Sequence, residues 1–176
     1  PLIEVTLGRT VSPEELADAE HVFWSGPIDE YFSGQFGKLG YRTLDFVETE
    51  EVGDVQGCPV MNYCDVDVPY TRITEHKHFA PWETHEGSTI YTEYSRLAQD
   101  GDIAYYPIRQ VKEKEQLLRY IEAANKASGV TFVGRLGTYR YLDMDVTIKE
   151  ALEVANLYLS NRRENRPMPP FVVNPL

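Results

Sequence analysis

The sequence has little cysteine and a shortage of positive charge. There are 2 cysteines among 176 residues, and in a straight strand Cys58 and Cys64 would lie about 20 Å apart, beyond disulfide reach. The pair therefore predicts reduced thiols and a cytoplasmic setting. Lysine and arginine number 17 against 28 acidic residues, and the resulting net charge of −11 opposes binding to a nucleic-acid backbone.

Long apolar runs and a dinucleotide fingerprint are also missing. No apolar run is as long as a bilayer span, which argues against a membrane-spanning helix. None of the 12 glycines falls in the G-x-G-x-x-G pattern that opens a dinucleotide-binding βαβ unit. A chain of this length can bury one substantial core. Because it begins with Pro1, we expect it to be a piece of a longer protein.

What is present divides the chain into α/β ends and an antiparallel middle. Ser12 to Glu15 has the form of a capping box and predicts a short helix over 13–18. Apolar spacing predicts a second helix over 111–127, and 130–134 is typical of a buried strand. A final helix is marked by an apolar face that consists of Ile148, Leu152, Ala155 and Leu159.

The middle of the chain has a different texture. Between residues 41 and 96, four runs rich in tyrosine, threonine, valine and isoleucine are separated by glycine, proline and aspartate turns. This pattern favours an antiparallel sheet. The fold class predicted from the whole pattern is α+β, with a sheet domain inserted into part of a layered α/β domain.

The segment "GRLGTYRYLDM", residues 134–144, joins the predicted strand to the final helix. Gly134 and Gly137 permit close backbone approach, and Asp143 or Asp145 can cap the helix. A strand that runs through glycine into a helix start can aim N–H groups at an anion. The residues alone leave two interpretations open, an anion-binding turn and an ordinary βα turn with surface arginine and tyrosine.

The run "EHKH" raises the question of a metal site. His76 and His78 would share one face of a strand, with His85 nearby in the sequence. No third ligand falls at a structural-zinc spacing, and the cysteines do not form C-x-x-C. We therefore expect no metal, and interpret these histidines as surface groups or hydrogen-bonded supports.

Four long motifs resemble one enzyme family over nearly the whole chain. "PIDEYF", "VPYTRITEHKHF", "YYPIRQ" and "GRLGTYRYLDMDVTI" closely resemble UDP-galactopyranose mutases. The resemblance implies an FAD-dependent isomerase that interconverts UDP-galactopyranose and UDP-galactofuranose, the latter for cell-wall polysaccharide synthesis. In that family the reduced flavin N5 attacks the anomeric carbon as UDP leaves. The chain would be the C-terminal portion, inactive alone and unable to retain FAD.

The resemblance also implies a domain plan. The antiparallel sheet would be a substrate domain over 33–103, inserted in the C-terminal part of a Rossmann-like FAD-binding domain. Segments 1–32 and 104–162 would belong to that FAD domain, and 163–176 would be an irregular tail.

Residue roles follow from the same motifs. Substrate contacts are implied for Asn62, Arg72, Tyr106 and Tyr141. Contacts with the flavin are implied for Arg135, Met144, Asp145, Val146, Thr147, Ile148 and Lys149. Supporting positions are Arg42, Glu93 and Asp143. Without the motifs, a strand arginine is usually a surface charge, and an apolar residue at a helix start is usually core packing.

The alternative function is a non-catalytic nucleotide-sugar-binding or assembly module, truncated or stand-alone, which would explain the missing fingerprint. Another flavin oxidoreductase would share the architecture, but the "YTRI" and "YYPI" motifs argue against it. The expected small-molecule partner is UDP-galactose. We also expect a homodimer, because the resemblance places the sheet neighbours of two short apolar strands, in "HVFWSGPI" (21–28) and "VTFVG" (130–134), largely in the other half of the protein.

Overall fold

A computed structural model describes residues 2–176, apart from the side chains of residues 111 and 112. The chain forms two compact units, one comprising Pro1–Gly40 with Tyr106–Leu176 and the other Tyr41–Tyr105. In the described part of the chain, no helix combines the length and apolar character needed to cross a membrane. Helices and an antiparallel sheet occur together, which confirms the α+β class.

The secondary structure consists of seven strands and four α-helices within the described residues. The strands are β1 (Val22–Trp24), β2 (Tyr41–Val52), β3 (Val60–Asn62), β4 (Arg72–Glu75), β5 (Gly87–Leu97), β6 (Tyr106–Pro107) and β7 (Val130–Phe132). The α-helices are α1 (Ile28–Tyr31), α2 (Val111–Ala124), α3 (Gly134–Gly137) and α4 (Met144–Arg163).

The second unit contains the predicted antiparallel sheet. Its strands follow the order β3-β4-β5-β2, and all of these neighbours are antiparallel. The register sets Asn62 opposite Arg72, Arg72 opposite Glu93, and Glu93 opposite Phe46. Residues opposite one another in register project from the same face of a sheet. The sheet therefore aligns these four side chains across its width.

The first unit packs around α2, β1 and β7. The two strands pair in parallel, with Trp24 opposite Phe132, and every residue of β7 is buried. Helix α2 buries Leu117, Tyr120 and Ala124, which lie on one side because they are three or four positions apart. The predicted helix and buried strand are thus confirmed, although the helix ends at Ala124 rather than at 127.

The C-terminal tail has neither helix nor strand but is bound along β7. The Phe132 amide donates to the Pro170 carbonyl at 2.8 Å, and the Thr131 hydroxyl donates to the Pro169 carbonyl at 2.7 Å. The Phe132 and Phe171 rings stack with centroids 5.5 Å apart. One edge of β7 therefore has β1 beside it, and the tail supplies hydrogen bonds to the strand as well.

Two local predictions need correction. The capping box starts a 3-10 helix, Pro13–Leu16, that is shorter than the expected 13–18. In α4 the predicted apolar face is exposed: Ile148 and Leu152 are each 62% accessible. Helix α4 buries Val154 and Asn161 instead. Periodicity identifies an apolar stripe, but it does not identify what covers that stripe.

Candidate functional site

An arginine and two tyrosines form the centre of the candidate site in the first unit. The guanidinium carbon of Arg135 lies 4.8 Å from the centroid of the Tyr106 ring and 5.1 Å from that of Tyr141. The two rings are tilted by 22°, with centroids 5.9 Å apart. A cation at this distance from aromatic faces is attracted by their quadrupoles. The sequence-predicted residues Tyr106, Arg135 and Tyr141 are thus brought together.

The backbone explains how the chain makes this turn. Gly134 has φ +71° at the start of α3, a conformation that favours glycine. A Cβ at Gly137 would lie 2.5 Å from the carbonyl oxygen of Trp24, so the close approach of α3 to β1 requires glycine. Tyr139 also has a positive φ, +50°, and it is almost completely buried. These three positions bend the chain between β7 and α4.

The same turn leads directly into the N-terminus of α4. Arg135 Nη2 donates to the Leu142 carbonyl at 2.6 Å, immediately before Asp143 at the N-cap position. The Asp143 carbonyl accepts both the amide and the hydroxyl of Thr147. Arg140 forms a hydrogen-bonded ion pair with Glu150 on α4. The Arg135 guanidinium is therefore held close to the start of α4.

The first turns of α4 present the predicted flavin-contacting residues. Met144 is 82% exposed, and Val146 and Ile148 also reach the surface. Asp145 and Lys149 are exposed, whereas Thr147 is half-buried. Apolar side chains at the surface beside a helix N-terminus combine a flat hydrophobic contact with positive potential from the helix dipole.

The second unit holds a separate polar cluster on one face of its sheet. Arg72 Nε donates to Asn62 Oδ1 at 2.9 Å, and Arg72 Nη1 lies 3.8 Å from Glu93 Oε2. The Thr71 hydroxyl donates to Glu93 Oε1 at 2.9 Å and so anchors the carboxylate. The Glu93 side chain is mostly buried, whereas that of Arg72 is 40% exposed. The cluster therefore orients a guanidinium that solvent and ligands can reach.

Arg42 lies further along the same sheet face. Its Nε donates to Ser95 Oγ at 2.9 Å, and its Nη2 donates to the Ser95 carbonyl at 2.8 Å. Ser95 is two residues from Glu93, so the two side chains project from the same face. Arg42 is therefore bound to a residue two positions from Glu93, and this residue, Ser95, is a partner that the sequence analysis did not identify. Arg42, Asn62, Arg72 and Glu93 belong to one unit; the Arg135 cluster belongs to the other.

The histidine run has a different structure from the one predicted. His76 and His78 do not share a strand face, because His76–Phe79 is a 3-10 helix that follows β4. The His78 Nε2 atom lies 3.3 Å from Asp54 Oδ1 and 3.5 Å from Glu75 Oε2. Ligand atoms from Asp54, Glu75 and His78 come within 4.8 Å of one another.

The chemistry of Glu75 favours a structural network over a cation site. Its carboxylate is fully buried and accepts hydrogen bonds from Ser88 Oγ and from the amides of Val55 and Gln56, at 3.1 and 2.8 Å. The Lys77 ammonium lies 3.4 Å away. Burial would raise the pKa of Glu75, but these donors outweigh it and lower the pKa to about 2. No sequence signal distinguished this glutamate from its neighbours.

Comparison with known proteins now gives these clusters a context. The family model for UDP-galactopyranose mutase (GLF) matches residues 1–141. A Klebsiella pneumoniae protein named "Probable UDP-galactopyranose mutase" is 58% identical over 171 residues, which are 97% of this chain and 44% of that protein. A UDP-galactopyranose mutase of Mycoplasma pneumoniae is 33% identical over 78% of this chain and 36% of its own length.

One relative has a different named substrate. An Escherichia coli dTDP-fucopyranose mutase is 53% identical over 93% of this chain and 45% of its own length. These named relatives are thus sugar-nucleotide mutases. The chain belongs to the UDP-galactopyranose mutase family. It spans less than half the length of these curated relatives.

Proposed function

We propose that the protein containing this chain interconverts UDP-galactopyranose and UDP-galactofuranose. We also propose that this chain contributes residues that bind the diphosphate and part of the flavin-binding surface. Membership of the UDP-galactopyranose mutase family supports this reaction class. One structural observation carries the assignment of residues: Asn62, Arg72 and Glu93 stand in register across three strands, with Asn62 fixing the arginine.

Arg72 is the proposed principal contact with the diphosphate. A guanidinium can donate two parallel hydrogen bonds to phosphate oxygens. Asn62 holds the Nε side of Arg72, and Glu93 lies near Nη1 without a direct hydrogen bond at 3.8 Å. In a chain with a net charge of −11, such a local cation is needed to attract a dianionic substrate. Arg42, bound to Ser95, supports the same polar face.

The Arg135 cluster supplies the proposed second contact region. Tyr106 and Tyr141 present phenol groups beside a guanidinium, and a phenol can donate to a phosphate oxygen. Tyr141 is 64% exposed and so is accessible to a ligand. These two tyrosines would hold UDP in place while its bond to the sugar is broken, which favours return to the correct carbon.

The residues at the start of α4 fit a flavin ring. Met144, Val146 and Ile148 offer exposed apolar surface, and the helix N-terminus with Arg135 offers positive charge. When bound, a reduced flavin supplies the nucleophile, its N5 atom, for the anomeric carbon of the sugar. The backbone from residue 144 to 149 would orient the ring, with Asp143 fixing the helix start. We propose that the 176-residue chain alone does not retain FAD.

A second substrate deserves equal testing because of the 53% identical dTDP-fucopyranose mutase. Fucose differs from galactose by the loss of the C6 hydroxyl, and the two nucleotides differ in base and in the 2′-hydroxyl. The proposed contacts of Arg72, Tyr106 and Tyr141 address the diphosphate, which both substrates share. These contacts therefore predict the reaction type and leave the choice of sugar nucleotide to experiment.

The test is conversion by the full-length protein under reducing conditions. We expect UDP-galactofuranose to give UDP-galactopyranose, separated by anion-exchange chromatography, and we expect no conversion by the oxidised protein. A parallel assay with dTDP-fucofuranose gives the ratio of kcat/KM for the two substrates. Nucleotide-sugar binding without conversion of either substrate would instead support a non-catalytic module.

A further inference from the structure

The buried side chain of Tyr139 joins two distant parts of the chain beside the Arg135 cluster. Its hydroxyl lies 2.6 Å from the Gly40 carbonyl oxygen and 2.5 Å from the Ile108 carbonyl oxygen. The Ile108 amide donates to the same Gly40 carbonyl at 2.8 Å. A phenol has one proton, so it donates to one of the two oxygens at a time. The Tyr139 hydroxyl therefore lies within hydrogen-bond distance of two backbone segments that are themselves hydrogen-bonded to each other.

These segments lie where the chain passes between the two units. Gly40 is the last residue before the sheet unit begins, and Tyr106 is the first residue after it ends. Ile108 is two residues beyond Tyr106, and Tyr139 is two residues before Tyr141. The hydrogen bonds of one phenol thus fix the backbone next to both tyrosines that lie against Arg135.

The conformation of Tyr139 indicates that this position is strongly determined. A positive φ in a residue other than glycine costs free energy and persists where its surroundings hold it. The Tyr139 amide donates to the Leu136 carbonyl at 3.2 Å, and the Arg140 amide donates to the Arg135 carbonyl at 3.0 Å. Burial, and next the negative charge of Glu113, raise the pKa of Tyr139, so its hydroxyl stays protonated.

We propose that Tyr139 is a positioning residue, whose hydroxyl sets the spacing of Tyr106 and Tyr141 around Arg135. It acts through the backbone and does not contact the substrate. The role rests on the proposed function, because Tyr106 and Tyr141 are there assigned to the diphosphate. Its geometric part, the spacing of the cluster, can be measured without any activity.

The test is Tyr139→Phe in the full-length protein, compared with Tyr120→Phe. Tyr120 is a matched control, because it is also fully buried and donates its hydroxyl to a backbone carbonyl, that of Gly37, at 2.6 Å. In arginine-labelled protein, the Arg135 Hε resonance should carry a ring-current shift from the two tyrosines. We expect Tyr139→Phe to reduce this shift and Tyr120→Phe to preserve it.

The kinetic expectation is a selective change in KM. Loss of one hydrogen bond corresponds to about a fivefold effect, so Tyr139→Phe should raise the KM for UDP-galactofuranose about fivefold and change kcat less. Tyr120→Phe should lower Tm about as much as Tyr139→Phe does, because each loses one buried hydrogen bond, but it should not change KM. If the wild-type protein shows no mutase activity while the resonance responds as expected, the proposed function fails and the positioning role survives.

Two results would overturn the positioning role. One is an Arg135 resonance that is unchanged in Tyr139→Phe, and the other is an equal response in both variants. If Tyr139→Phe does not fold, the unaltered protein provides the test through tyrosine labelled at Cζ. In mixed H2O and D2O, slow hydroxyl exchange should split the Tyr139 Cζ signal. A single averaged line would contradict the proposed hydrogen bonding of the Tyr139 hydroxyl.

Discussion

Replacing Arg72 with alanine should disable the full-length enzyme without unfolding it. The guanidinium is held by Asn62 at 2.9 Å and is 40% exposed, so it is ready to make charge-assisted hydrogen bonds to phosphate. Each such bond contributes about 1.5–3 kcal/mol, and losing about 3 kcal/mol corresponds to roughly a 150-fold fall in kcat/KM. Arg72→Lys should recover part of this, because an ammonium keeps the charge but not the two-pronged geometry.

The stability cost should be small. The pairing of Arg72 with Glu93 is partly exposed, and such pairs contribute about 0–1 kcal/mol. Arg96→Ala is the matched control: Arg96 also lies on β5's sheet, is half-exposed, and is paired with Asp45 and Asp102, but it projects from the opposite face. It removes the same charge and should leave kcat/KM within about twofold.

The assay is steady-state conversion of UDP-galactofuranose by reduced protein, with flavin content and Tm measured on every variant. Equal kcat/KM values for Arg72→Ala and wild type would refute the assigned role. So would equal losses in Arg72→Ala and Arg96→Ala, because the effect would then be one of net charge.

Two further predictions concern the chain itself. Glu75→Gln should lower Tm at pH 7 by about 5 °C, since buried donors lose a charged acceptor, whereas exposed Glu50→Gln should not. Because folding lowers the pKa of Glu75 from 4.5 to about 2, the stabilisation from its carboxylate is complete above pH 4.5 and is lost as the pH falls towards 2. A difference in Tm between wild type and Glu75→Gln that stays constant over this pH range would contradict the network. The isolated chain should also self-associate as a homodimer through the exposed apolar stripe of α4, and Leu152→Glu should weaken this association. Light scattering that shows a monomer for both the unaltered chain and Leu152→Glu would contradict the prediction.

Much of the sheet could be predicted because its strands carry strong local signals. Alternating β-branched and aromatic residues bounded by turn residues identified β2 to β5. The motif resemblance selected Asn62, Arg72 and Glu93, but the sequence could not show that they stand in register. Register depends on how many residues the intervening turns contain and on pairing across the sheet, neither of which is a local property.

The least predictable features depend on contacts between distant residues. The Tyr139 hydroxyl contacts carbonyl oxygens of residues 99 and 31 positions away in the chain, which no local pattern encodes. The buried Glu75 carboxylate accepts hydrogen bonds from the amides of residues 55 and 56, which lie 20 and 19 residues earlier in the chain. The apolar stripe of α4 was identified correctly as a stripe, yet its exposure depends on which elements pack against the helix.

The most direct test of the proposed mutase function is the conversion of UDP-galactofuranose by full-length protein with the flavin reduced. We expect UDP-galactopyranose as product, no conversion by the oxidised protein, and a roughly 150-fold lower kcat/KM in Arg72→Ala but not in Arg96→Ala. Full reduction of the flavin with no conversion of UDP-galactofuranose or dTDP-fucofuranose would contradict it.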